Sequence, residues 1–301
     1  MSFAKAIRGA KSAVARTTLI VACGFALTGC DTLASINPFD SAPKYKPEII
    51  ADVPAEQLYN QGLGRIQTGD YEGAAKRFAD LEKNYPHSEW SRKAVIMSAY
   101  ASYEGQQWED AISASKRYLQ LHPNTKDAAY AQYLYAMANY NQIPDVTRDQ
   151  ERADKALAAL TDLVQRYPTS EYVADARAKI QVARDQLAGR EMTIGRYYLE
   201  KRNYTGAINR FRDVVAKYQT TRHVEEALMR LTEAYMALGI TGEAQTAAAV
   251  LGHNFPDSPW YKDSYALLRT GGLEPREDEG SWISRAVRGI GIPKPVRVKT
   301  G

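Results

Sequence analysis

Four histidines, two cysteines and twenty tyrosines are the side chains whose types and spacing could support chemistry here. His87, His122, His223 and His253 stand far apart with no second ligand at a metal-binding interval, so no zinc site is expected. Gly62-Leu63-Gly64 has the start of a phosphate loop, but it sits inside a helical apolar period with no strand before it. It reads instead as a close helix contact. No serine elbow, no Cys-His pair and no carboxylate isolated among apolar residues can be found; the acids fall on helix faces that read as solvated. The chain is expected to bind rather than catalyse, and to need no metal or cofactor.

The tyrosines suggest what it binds. Three triplets recur at 37-residue spacing with internal steps of four and three: Tyr59, Leu63 and Ile66; Ile96, Tyr100 and Tyr103; Tyr133, Met137 and Tyr140. Those steps set each triplet on one stripe of a helix, and stacking the helices sets the stripes side by side. Tyrosine gives a broad apolar face with a polar tip at little entropic cost, which suits an extended peptide rich in aromatics. These nine positions form the candidate groove. The competing reading is that aromatic stripes at helical spacing pack between helices, as expected at Tyr71, Tyr204 and Tyr235 and for most of the tyrosines.

Helices must position these residues, and the punctuation shows where. Tyr85-Pro86, His122-Pro123, Tyr167-Pro168 and Phe255-Pro256 each close a proline-free helical stretch, and Tyr218-Gln219 stands where a fifth would be. An alanine lies twelve residues before each proline or its substitute: Ala74, Ala111, Ala156, Ala207 and Ala244. Around them recur Gly69-Asp70-Tyr71 with Phe78, Gln107-Trp108, Asn203-Tyr204 with Phe211, and Gly239-Ile240-Thr241. A turn, an aromatic, a small residue where two helices touch and a closing proline resemble the tetratricopeptide (TPR) pattern. Gly62, Ala99, Ala136 and Gly195 are the matching small residues on the first helices.

The fold class is therefore all-α: a solenoid of about five helix-turn-helix repeats at about 55–88, 91–125, 126–170, 172–221 and 222–258, then a closing helix to about 268. Ile143 to Arg148 reads as a polar insertion between the third pair's helices. The proline-free run after Pro168 predicts a long helix from about Tyr172 to Leu199, which would divide the solenoid into two arms.

Before the solenoid, residues 1–29 combine a basic start with a short apolar run from Leu19 to Leu27, the order of a secretory signal peptide and too short to span a bilayer. Leu27-Thr28-Gly29-Cys30 resembles the bacterial lipobox, in which the cysteine sulfur takes a thioether-linked diacylglycerol and the new N-terminus an acyl chain. Ile20-Val21-Ala22-Cys23 matches too, but cleavage there leaves too short an apolar core, so Cys30 is the expected lipidation site. Residues 30–54, with Pro38, Pro43, Pro47 and Pro54, read as a tether. Lys5, Arg8, Lys11 and Arg16 account for the net charge of +4, leaving thirty-five bases against thirty-five acids. A neutral body lacks the field that drives phosphate-backbone binding, so nucleic acid is not an expected ligand. Residues 269–301 read as a mobile tail; alternatively, its stripe of Trp282, Ile283, Ala286, Val287 and Ile290 beside Arg285 and Arg288 forms a helix that docks on a partner or an anionic membrane.

From Cys30 to about Leu268 the chain resembles the BamD family, TPR lipoproteins of the outer-membrane β-barrel assembly (Bam) machine. The resemblance is carried by Gly69-Asp70-Tyr71, the tyrosine-rich stretch from Tyr130 to Tyr140, Tyr167 to Tyr172, and above all Glu191 to Arg210 with Arg196-Tyr197-Tyr198 and Ala207-Ile208-Asn209-Arg210. It implies a body held in the periplasm on the inner leaflet of the outer membrane, working with the BamA insertase, other Bam lipoproteins and unfolded outer-membrane proteins. It also implies that early repeats take substrate segments, that later repeats bind the insertase, and that Arg210 touches it. Asp31 follows the lipidated cysteine, and in enterobacterial sorting an aspartate there retains lipoproteins in the inner membrane. Outer-membrane placement thus comes from the resemblance and not from the leader. Two other readings fit a TPR body: a lipoprotein piloting secretin or pilus assembly, and the scaffold of a cell-wall enzyme.

Overall fold

A computed structural model describes residues 53–288, twelve helices with no strand among the described residues. Cys30, the leader and the tether, and Ile290 with the rest of the C-terminal end, lie outside them. Val53 opens a compact unit of its own.

Ten helices form five antiparallel pairs: α1 (Ala55–Gln67) with α2 (Tyr71–Asn84), α3 (Glu89–Glu104) with α4 (Trp108–Leu121), α5 (Ala128–Tyr140) with α6 (Glu151–Arg166), α7 (Val173–Glu200) with α8 (Tyr204–Lys217), and α9 (Val224–Ala237) with α10 (Thr241–Asn254). Then α11 (Pro259–Thr270) lies against α9 and α10, and α12 (Trp282–Arg288) against α8 and α10. Within the array, α1 touches α3, α3 touches α5 and α9 touches α11, while no second helix approaches the next second helix comparably. From α1 to α5, and again from α9 to α11, the first helices therefore form the tighter, inner side and the second helices the splayed outer side.

Each pair is built as the alanine register predicts. Ala74, Ala111, Ala156, Ala207 and Ala244 are all fully buried, so the second helix comes within van der Waals distance of the first. In pairs one and four a glycine faces a buried phenylalanine ring. A Cβ on Gly62 would stand 2.5 Å from Phe78 Cε1, and one on Gly195 at 2.5 Å from Phe211 Cε1, so the rings occupy the space a side chain would need.

The turns inside four of the pairs share one geometry. Gly69, Gln106, Arg202 and Gly239 each lie five residues before the core alanine and adopt φ of 77°, 57°, 59° and 73°. The next residue's N–H reaches back to the helix: Asp70 to the Arg65 carbonyl at 2.9 Å, Gln107 to Ser102 at 2.8 Å, Asn203 to Tyr198 at 2.8 Å, Ile240 to Tyr235 at 2.9 Å. This is the left-handed C-terminal cap that satisfies orphan helix carbonyls. Pair three departs from it because the insertion intervenes. The insertion is braced: Gln186 Nε2 on α7 donates to the Pro144 carbonyl at 3.0 Å, and Val146 lies against Gly189.

Second helices end where the aromatic-proline signals stand. The N–H groups of Tyr85, His122, Tyr167, Tyr218 and Phe255 each donate to the carbonyl four residues back, at 2.8–2.9 Å, and the following proline (Gln219 in the fourth pair) ends the run. The long helix α7 spans 28 residues, within one residue of the sequence expectation at each end. Its first half packs in a cluster with Ala136, Ala159, Leu160, Leu163 and Ala176, and its second half opens a different one from Ala188 onward.

The tail is where sequence expectation and structure part. Residues 269–288 are docked rather than mobile. Ile283 and Ser284 are buried, Trp282 Nε1 donates to the Tyr235 hydroxyl at 3.1 Å, Ser281 Oγ donates to Glu243 Oε2 at 2.7 Å, and the Ala286 carbonyl accepts from Gln219 Nε2 at 3.3 Å. The apolar stripe from Trp282 to Val287 finds its partner inside the chain, in the face left open by α8, α9 and α10, and is therefore not free to take another protein or a membrane.

Candidate functional site

The inner side of pairs two and three, with the first turns of α7, gathers half-buried tyrosines. Tyr103 meets Trp108 edge-on with ring centres 5.5 Å apart, and its hydroxyl accepts from Asn141 Nδ2 at 2.9 Å. Tyr133 stacks on Tyr172 at 4.8 Å and donates its hydroxyl proton to Asp175 Oδ2 at 2.7 Å. Asp175 Oδ1 accepts from Lys179 Nζ at 2.7 Å, and that ammonium lies 5.7 Å from the Tyr140 ring centre. Tyr130 stands 5.4 Å from Tyr172.

Burial raises the phenols of Tyr100, Tyr130 and Tyr133 above their ordinary value, with neighbouring tyrosines and acids adding to it. Burial also pushes Asp175 up, but hydrogen bonds from Lys179 and Tyr133 outweigh it and hold that carboxyl below its usual range. At neutral pH the site thus presents neutral phenols around one paired carboxylate, a surface suited to apolar and aromatic side chains with polar anchors at its edge.

Of the nine expected groove residues, the structure keeps seven partly exposed. Tyr59, Leu63 and Ile66 pack on the first cluster, Tyr59 with its ring 5.6 Å from Phe78 and 5.1 Å from Trp90. Tyr100, Tyr103, Tyr133 and Tyr140 sit half-buried farther along. Ile96 and Met137 are a correction. At 8% and 6% exposure they belong to the packing, because first helices stack on one another and cover whatever points at the neighbour. Tyr130, Tyr172, Asp175 and Lys179 were not in the candidate set. Tyr130 lies one helical step before Tyr133, so the same stripe contained it. Tyr172 falls outside the 37-residue register because the insertion lengthens the third repeat.

Arg210 lies on the outer helix α8, half-exposed, with Nη1 donating to Glu191 Oε2 of α7 at 3.1 Å. It is pinned rather than merely solvated, and its remaining guanidinium donors are not engaged by Glu191. On the opposite, inner side of the same arm, Arg196 pairs with largely buried Glu226, with Nε at 2.8 Å from Oε1, and Arg230 bridges Glu226 to Glu233. Among the described residues no cluster of three His, Cys, Asp or Glu could hold a metal, and no helix is long and apolar enough to cross a membrane.

The YfiO family of outer membrane lipoproteins matches residues 51–251, which cover both the tyrosine face and Arg210. An outer membrane protein assembly factor BamD of Caulobacter vibrioides is 47% identical over 231 residues, 76% of each chain. The chain belongs to the BamD family. Members from Rickettsia prowazekii (38% identical, 83% of this chain and 95% of that one) and Neisseria meningitidis serogroup A (33%, 80% and 92%) match over similar lengths. Among solved structures, the MamA protein aligns with 72% of this chain and 93% of its own at 16% identity and a TM-score of 0.35, too loose a likeness to carry weight. The family-model match ends at residue 251, inside α10 and before α11 and α12.

Proposed function

We propose that this chain is a non-catalytic scaffold of the Bam machine whose two arms hold two different partners. The inner tyrosine face of pairs two and three holds extended, aromatic-rich segments of unfolded outer-membrane proteins. The rear arm holds a BamA-type insertase, with Arg210 as a contact, and other Bam lipoproteins join it. A lipid on Cys30 ties the chain to the outer membrane facing the periplasm. One observation supports this above the others: in a member of an assembly-factor family, seven groove positions remain half-exposed on the inner side while Arg210 stands on the outer side of the other arm.

Co-purification from detergent-solubilised membranes tests the rear-arm assignment. Arg210→Glu sets a negative charge beside Glu191 and removes the donor fork, so insertase recovery should fall by at least about tenfold, in line with truncating a charged interfacial hydrogen bond, while circular dichroism stays helical. Full recovery of the complex would reject the contact.

A further inference from the structure

Between pairs one and two the outer side holds a cavity that the scaffold reading does not use. It lies between α2 and α4, over α3, with a volume of about 340 Å³, within the range of ligand sites. Glu72 and Asp110 stand at one end, in the first turns of α2 and α4. Near the other end Arg117 of α4 reaches across to Glu82 of α2 at 2.5 Å and ties the two helices together. The rise of the helix from Glu72 to Glu82 gives the cavity a length of about 15 Å, enough for roughly four extended residues.

Its lining is small and polar. Ala75 and Ala79 of α2 and Ala114 of α4 form the walls, with Val95, Ser98 and Ser102 of α3 beneath them. Ser102 is 2% exposed, and its hydroxyl has no hydrogen-bond partner among the described residues. A buried hydroxyl, with one donor and two acceptor positions, calls for a partner. Gln107 lines the same cavity from the N-cap of α4, and its side chain makes no capping hydrogen bond. Of the two bases in the lining, Lys76 is paired with Glu72 and Arg117 with Glu82. Asp110 is left as an acid without an ion pair among the described residues.

These features select among ligands. An anion finds no free base there, and an aromatic side chain or a sugar finds no ring to stack on. A peptide main chain carries donors and acceptors that match the Ser102 hydroxyl and the Gln107 amide, and alanine walls let it come close. We propose that this cavity is a second peptide site, taking an extended segment of small residues with one basic side chain directed at Asp110. Its chemistry differs from that of the inner tyrosine face and it lies on the other side of the solenoid, so neither assignment depends on the other.

The test follows the amide resonances of the chain from Asp31 to Gly301, which keeps the whole compact unit that opens at Val53. It is titrated with a blocked octapeptide of alanine, serine and glycine carrying one central lysine, and with its counterpart carrying glutamate there. The lysine peptide should shift the amides of Ser98, Ser102 and Ala114, and the glutamate peptide should bind at least about threefold more weakly, the worth of an exposed ion pair. Asp110→Lys should reverse that preference. Ser98→Leu sets a larger side chain in the floor and should weaken binding of the lysine peptide by at least about tenfold. Asp110 is exposed, so its variant keeps the fold and carries the test alone if Ser98→Leu unfolds. No shifts at millimolar peptide, shifts confined to the inner tyrosines, equal binding of the two peptides, or a preference unchanged by Asp110→Lys would overturn the proposal.

Discussion

The two halves of the solenoid use the same helix pair to build different materials. In the rear arm, from Ala188 to Ile283, eighteen buried side chains join in one continuous cluster; in the front arm the described core is divided into four clusters of three to six. A continuous core loses stability as a unit, whereas small clusters joined end to end lose it repeat by repeat. The front arm also places tyrosines on its inner side, and the rear arm places there the ion-pair network of Arg196, Glu226 and Arg230. Under the proposed function, a front arm that takes varied unfolded segments gains from being adjustable, and a rear arm that holds a folded partner gains from being fixed.

Deleting a central ring should sharpen that contrast most. Phe211→Ala is expected to cost about 3–5 kcal/mol and to lower one cooperative transition across α7 to α12. Phe78→Ala removes an equally buried ring, yet should appear in hydrogen exchange as local opening confined to α1–α3. If both variants opened the whole chain together, the contrast between arms would fail.

Glu226 gives the next largest effect. Burial raises its pKa, but hydrogen bonds and charge from Arg196 and Arg230 outweigh that and hold it below the ordinary 4.5. Its contribution is therefore complete above that ordinary value and is lost as pH falls through the lower folded-state value. Glu226→Gln should cost about 1–3 kcal/mol near neutral pH, and the gap from the unmodified chain should close as pH falls below the ordinary carboxylate range. A pH-independent gap would mean that packing, and not charge, makes the difference.

The smallest effect lies in the turns. Gln106 and Arg202 adopt the left-handed conformation that Gly69 and Gly239 adopt at the equivalent positions. Gln106→Gly in the front arm and Arg202→Gly in the rear arm should each stabilise by up to about 1 kcal/mol, read as a small rise in thermal midpoint. Destabilisation of either would show that its side chain contributes more than its backbone strain costs.

Much of this was legible in the sequence because packing leaves a mark wherever only one residue type fits. The alanine register, the closing aromatic-proline pairs and the long helix α7 all follow from contacts that admit no larger side chain or no N–H. The left-handed turns at Gln106 and Arg202 were not legible, since glutamine and arginine carry no sign of that conformation. Nor was the docking of α12. Seven residues hold too little periodicity to show what they pack on, and the receiving face exists only once α8, α9 and α10 are assembled. Burial of Ile96 and Met137 escaped for a related reason: a stripe read from one helix does not reveal which of its members the next helix will cover.

The proposed separation of a peptide-binding face from a rigid arm is tested most directly by titrating an aromatic-rich segment of an unfolded outer-membrane protein into Tyr100→Ala/Tyr103→Ala and following thermal unfolding alongside. Affinity should fall by at least about tenfold, the worth of losing two aromatic anchors, while the rear-arm transition stays in place. Undiminished affinity in that double variant would contradict the account.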